Sequence, residues 1–229
     1  MNLHSAKLYD RIIDAYKNYG LISTLKVSFI SVMDYYFDFK YGTDTVRHVE
    51  LRSLEINSEN LSRGHRYALT PEKAFIKLMA KIKFPVNSVF VDLGCGKGKI
   101  LLLASQFGFS RVVGIEFSKS LCECARNNIS VYGAKKTLNS TLEVVHSDVV
   151  DYEIKDDENV FYLFNPFDDT VLSNVLGNII KSVEKAPRKV YLIYYIPYHG
   201  NIIEQCGNFK RLDRYFFSGC EFVLYVNDK

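Results

Sequence analysis

At 229 residues, 48% hydrophobic and 24% charged, the chain has the make-up of one folded domain, or of one domain with an appendage. That composition excludes a disordered tail, a collagen-like repeat and a small disulfide scaffold. The formal net charge of only +3, with no arginine-rich tract, argues for a protein or small-molecule partner over nucleic acid.

The first 40 residues read as helical, with Tyr9, Ile12, Ile13 and Tyr16 at helical spacing and Gly20 as a stop. Leu21 to Tyr41 is a second apolar and aromatic run, expected as a helix packed on the main domain. Residues 42–66 lack a period and form a polar connection. Thr70 and Pro71 have the character of an N-cap and first helical position, opening a helix to about Lys83. Lys73, Lys77 and Lys81 stripe that helix opposite Phe75, Leu78, Met79 and Ile82. A solvated face explains the stripe more simply than phosphate contact does. No stretch is apolar for long enough to span a bilayer, and the N-terminus has no secretory h-region, so the chain is expected to be cytoplasmic.

From residue 88 the pattern alternates. Strands are expected over Ser88–Asp92, Arg111–Ile115, Leu142–His146, Val160–Phe164 and Lys189–Tyr195. Helices are expected over Lys99–Phe107, from Ser118 to about Tyr132, and along the amphipathic Val171–Val183 run behind an Asp168/Asp169 cap. Two last strands, Lys210–Phe217 and Glu221–Val226, flank Ser218-Gly219-Cys220 as a hairpin. This predicts an α/β fold: a doubly wound, mostly parallel seven-stranded sheet, helices on both faces, and an antiparallel C-terminal hairpin. The division is a helical extension over 1–70 and a Rossmann-like domain over 71–229. Five cysteines form no C-x-x-C pair, Cys122 and Cys124 diverge on one helix, and the five histidines are scattered. Reduced thiols and no metal site are expected.

Asp92-Leu93-Gly94-Cys95-Gly96-Lys97-Gly98-Lys99 joins the first of these strands to its helix. Three glycines let the backbone turn sharply and a ligand approach without a Cβ in the way. The dinucleotide fingerprint G-x-G-x-x-G would need glycine where Lys99 stands. A P-loop would need glycine at Leu93 and Ser or Thr at Ile100.

The remaining pattern, D-x-G-x-G-x-G, resembles the class I S-adenosylmethionine-dependent methyltransferases, over roughly Thr70 to the C-terminus. The resemblance implies S-adenosyl-L-methionine as cofactor. It implies that Gly94, Cys95, Gly96 and Gly98 pass beneath the methionine and ribose, with Asp92 near the methionine ammonium. Glu116, closing the second strand, would accept from the ribose hydroxyls, and Phe117 would pack on the adenine. Asp148 and Val149, after the third strand, would meet the adenine edge. Asn165-Pro166-Phe167, ending the fourth strand, is similar to the N-P-P-[FY] tetrapeptide of methyltransferases acting on amide or nucleobase nitrogens, with the second proline missing. It implies that Asn165, Pro166 and Phe167 face both donor and acceptor. An Asn-Pro strand-to-helix turn explains the same residues equally well. Tyr67 and Thr70 would close the cofactor pocket, as a comparable segment does in protein-lysine methyltransferases lacking a SET domain. Tyr194, Tyr195, Tyr198 and His199 would line the acceptor side. His199 or Asp168 would be the nearest base for a hydroxyl acceptor, and no general base is assigned.

The expected function is therefore methyl transfer to an unidentified acceptor, such as a nitrogen of a protein side chain or a small molecule. Three alternatives stay open. One is a catalytically silent cofactor-binding module working through a partner protein. The others are a nicotinamide-dependent oxidoreductase with a degenerate glycine turn and an aminopropyl transferase. The oligomeric state is left open.

Overall fold

A computed structural model describes residues 32–47, 70–164, 167–217 and 219–227. The helix expected around Tyr9–Tyr16, most of the 42–66 connection, Tyr67, Asn165, Pro166 and Ser218 lie outside the described residues.

Residues 32–41 are helical (α1). The elements that follow are α2 (Glu72–Met79), β1 (Val89–Leu93), α3 (Lys99–Ala104), β2 (Arg111–Glu116), α4 (Lys119–Gly133), β3 (Thr141–His146), β4 (Glu158–Phe164), α5 (Asp169–Lys185), β5 (Tyr191–Tyr195), α6 (Gly200–Gln205), β6 (Phe209–Phe217) and β7 (Cys220–Asn227). The seven strands form one sheet in the order β3-β2-β1-β4-β5-β7-β6. β1 to β5 pair in parallel, and β7 inserts antiparallel between β5 and β6. The expected sheet, its strand count and its closing hairpin are all present.

Both faces of the sheet are covered, which is why β1 is buried along its whole length. Alternation along the strand splits its side chains between two cores. Phe90 joins Phe37, Phe75, Leu101, Tyr132 and Tyr162 under α1 to α4. Val89, Val91 and Leu93 join Leu163, Leu172, Val175 and Ile179 under α5. Asp92, two positions beyond Phe90, therefore belongs to the α1–α4 side. The strand order reverses between β1 and β4, so a crevice opens at the carboxyl ends of these two strands, where open α/β sheets bind ligands.

Local details depart from the sequence reading. α2 stops at Met79, four residues short of the expected end, and its N-cap is Pro71 with no side-chain capping bond. The Thr70 hydroxyl meets the buried Tyr162 hydroxyl at 2.6 Å instead. A tertiary partner outcompetes the local cap because it satisfies two buried hydroxyls at once. By contrast, Ser118 and Asp168 do cap α4 and α5, accepting from Leu121 N–H at 3.4 Å and Val171 N–H at 2.9 Å. α6 was not expected, since one six-residue turn behind Pro197 carries too little periodicity to read.

Candidate active site

The β1–α3 turn is laid down on the end of β2. Gly94 and Cys95 both donate their N–H groups to Ile115 O, at 2.9 and 3.0 Å. Gly94, Gly96 and Gly98 have φ of 87°, 53° and 79°, three left-handed positions that residues with a Cβ rarely adopt. The turn can lie this low because Gly114 sits beneath it. A Cβ there would stand 2.6 Å from Cys95 Sγ and 2.7 Å from Leu101 Cδ1. Gly114 was missed as a site residue, although a glycine inside a strand signals close backbone approach.

Two carboxylates are buried beside the turn. Glu116, 3% exposed, ends β2 and accepts Gly96 N–H and Ser118 N–H through its two oxygens, each at 2.9 Å. Burial raises its pKa, and the backbone donors oppose that rise. Asp92 is 4% exposed and receives no hydrogen bond or ion pair from the described residues. Burial, and then the neighbouring Glu116, push its carboxyl up to about 8. An acid buried this deeply beside a second carboxylate, with no counter-charge among the described residues, is an expensive feature to maintain, and it suits a site that receives a cation.

Asp148 stands in the loop after β3, one strand further along, and is half-buried. Its Oδ1 accepts Val150 N–H at 3.2 Å. Val149 is buried in the α5-side core. Phe117 is half-buried, and its carbonyl lies 3.0 Å from His146 Nε2. Asp92, Glu116 and Asp148 thus follow one another across the adjacent strand ends of β1, β2 and β3.

On the other side of the reversal, the rings of Phe164 and Tyr195 meet at 4.4 Å between centroids, and Tyr195 stacks on Phe222 at 4.7 Å. The Tyr195 hydroxyl donates to Cys220 Sγ at 3.3 Å. Ile196, directly after β5, has φ of 51°, a strained value for a β-branched residue, and Tyr198 beyond it is 74% exposed. Tyr194 departs from expectation. It alternates to the opposite face and is buried in the α5-side core, with its hydroxyl bonded to the His199 backbone. Phe167 is half-buried and packs against that same core. Asp168 is occupied in capping α5.

Lys97 and Lys99 were also missed, because lysine in a glycine-rich loop ordinarily reads as exposed. Both are 2% exposed. Their ammonium groups bond to the 32–47 segment: Lys99 to Asp34 at 2.5 Å, and Lys97 to Asp44 at 3.2 Å and to Arg47 O at 2.8 Å. Among the described residues no group of His, Cys, Asp and Glu is arranged to hold a metal ion, and no helix is long and apolar enough to cross a membrane.

Comparison with known proteins identifies the domain that carries these residues. The profile of the family described as "Methyltransferase domain" matches residues 90–185, the stretch from β1 to the end of α5 that contains the glycine turn and all three acids. Residues 90–185 are a methyltransferase domain of the class I S-adenosylmethionine-dependent kind. Its cofactor is S-adenosylmethionine. An uncharacterized protein of Methanocaldococcus jannaschii is 29% identical over 181 residues, covering 68% of this chain and 80% of that one. The human EEF1A lysine methyltransferase 2 is 34% identical over 58 residues, 25% of either chain. Among solved structures, an RNA methyltransferase of Salinibacter ruber in complex with S-adenosyl-L-homocysteine superposes with a TM-score of 0.52 at 18% identity, covering 71% of this chain and 95% of that one. That likeness is one of fold.

Proposed function

We propose that this methyltransferase binds its cofactor on the β1–α3 turn and transfers the methyl group to a nitrogen of a protein side chain, a lysine amine foremost. Asp92 carries the first half of the reading: an acid buried beside a glycine cradle, bonded to nothing described and held near pKa 8. S-adenosylmethionine has an ammonium group and a sulfonium, so its charge fits this acid as a pyrophosphate would not. The residues proposed to hold it are Asp92, Gly94, Cys95, Gly96, Gly98, Glu116, Phe117, Asp148, Val149 and Asn165, with Tyr67 and Thr70 closing the pocket. The 1–70 extension is proposed to cover the acceptor side of the 71–229 domain.

When bound, the cofactor supplies an electrophilic methyl group on sulfur. Everything else falls to the chain. Asp92 gives up its proton on meeting the ammonium, since the incoming cation removes the penalty that raised its pKa. Glu116 keeps its backbone bonds and offers the ribose hydroxyls its remaining lone pairs. Phe164 and Tyr195 wall the reversal point with aromatic surface and exclude water from the acceptor. A neutral amine needs alignment more than a base, and alignment alone is worth up to about 7–11 kcal/mol. Asn165, Pro166 and Phe167 are proposed to supply it. A lysine acceptor must first shed a proton, which dry aromatic surroundings favour by lowering its pKa.

A lysine acceptor is supported by the likeness to the human lysine methyltransferase, of which this chain spans a quarter. The test is to incubate the protein with methyl-labelled cofactor and a heat-inactivated whole-cell extract, then separate protein, nucleic acid and small molecules. Label in the protein fraction, recovered as methyl-lysine on hydrolysis, supports the reading. Label confined to nucleic acid or to small molecules contradicts it.

A further inference from the structure

Lys97 within the glycine turn and Lys99 directly after it are both buried, at 2% exposure. Among the described residues, the partners of their ammonium groups all come from residues 32–47, distant in sequence. Lys99 and Asp34 have side chains only 2% and 7% exposed, and the Lys99 ammonium also lies 5.2 Å from the centre of the Phe37 ring. Lys97 bonds to the Asp44 carboxylate and the Arg47 carbonyl.

The Lys97 contact belongs to a closed network. Asn128 of α4 accepts Asp44 N–H at 2.8 Å, and its amide donates to Asp44 O at 3.1 Å and to Lys97 O at 2.9 Å. One side chain thus reads the backbone of both the turn and the segment docked on it. Asp44 is itself presented by a built loop. The Asp38 carboxylate accepts the Thr43 and Thr45 hydroxyls at 2.7 and 2.8 Å, and Thr45 and Val46 N–H at 2.8 and 2.9 Å. Thr45 and Val46 are buried at 0% and 4% exposure.

We propose that Asp44 is a positioning residue for the cofactor: with Asn128 it holds Lys97, and thereby the Gly94–Gly98 backbone, in the conformation that receives S-adenosylmethionine. The inference rests on the cofactor reading above and adds to it a group outside the methyltransferase core. Its physical basis is preorganisation. A turn with three left-handed positions is adopted by a loose loop only part of the time, and a ligand that needs it must meet the ordering penalty on binding. With the Asp44 contact made, the turn is ordered beforehand.

The test measures the Kd of S-adenosylhomocysteine by calorimetry on the full chain, as wild type, Asp44→Ala and Asp44→Asn, with melting temperature and hydrogen exchange of the 94–98 amides read alongside. Asp44→Ala should bind about tenfold more weakly and Asp44→Asn, which keeps an acceptor for Lys97, about threefold. Exchange at 94–98 should quicken in the same order. A merely structural role would lower the melting temperature and leave the Kd of the folded protein unchanged, so a Kd within about twofold of wild type in Asp44→Ala overturns the proposal. Should Asp44→Ala not fold, Asp44→Asn carries the test, and wild-type affinity in it overturns the proposal. Wild type that does not bind at all overturns the cofactor reading itself, a result visible before any variant is compared.

Discussion

Replacing Asp92 by asparagine should stabilise the cofactor-free protein, and do so more strongly as pH rises. The Asp92 carboxyl titrates at about 8 in the fold against an ordinary value of 3.8. Between those values the unfolded chain releases a proton that the folded chain retains, so stability is lost steadily as pH rises from about 4 to about 8. At pH 7 the gap is about three units, or about 4 kcal/mol at 1.36 kcal/mol per unit, which is an upper figure. Water entering the crevice reduces it, and a gain of about 2 kcal/mol would raise the melting temperature by about 4–8 °C for a chain of this length. Melting curves of wild type and Asp92→Asn, recorded without cofactor from pH 5 to pH 8, make the comparison. The buried amide adds a constant offset, so the slope is diagnostic: wild type should fall away from the variant as pH rises. Parallel pH dependences would refute the reasoning.

Other perturbations have distinct signatures. Gly114→Ala should lower stability by about 2 kcal/mol or more in denaturant unfolding, because its Cβ would collide with Cys95 Sγ at 2.6 Å and force the turn off β2. Gly98→Ala, strained at φ 79° with Ala125 Cβ at 3.1 Å, should lower it by about 1–2 kcal/mol. Lys99→Met alone strands the buried Asp34 charge and should lose about 3–5 kcal/mol, whereas Lys99→Met with Asp34→Leu should recover most of that loss in the same unfolding assay. Thr70→Val should lose about 1–2 kcal/mol by leaving the buried Tyr162 hydroxyl unpartnered.

What could be read in advance follows from the range of the forces involved. Strand, glycine turn and helix around Asp92–Lys99 are dictated by local periodicity and backbone freedom, and a mostly parallel sheet closed by a hairpin follows once the βα units are counted, whereas its strand order comes from the structure. α5 announced itself through seven apolar positions on one stripe behind Asp168. Residues whose role depends on distant partners stayed hidden. Thr70 looks like a cap until Tyr162, ninety-two positions away, supplies a better partner. Lys97 and Lys99 look solvated until Asp34, from the helix expected over Leu21 to Tyr41, and Asp44, from the connection that lacks a period, supply their partners. Tyr194 and Tyr195 are indistinguishable by type, and strand alternation alone sends one to each core. The acids Asp92, Glu116 and Asp148 could be listed from their strand-end spacing. That Asp92 is left without a described partner, whereas Glu116 is bonded to the turn, emerges only from the three-dimensional arrangement.

The most direct measurement is calorimetric titration of wild type and Asp92→Asn with S-adenosylmethionine and S-adenosylhomocysteine at pH 7. The account predicts saturable binding of both ligands by wild type, and binding weakened by at least about tenfold in a variant that melts no lower than wild type. Equal affinity in the two proteins, or no binding by folded wild type, would contradict a cofactor site built on the β1–α3 turn.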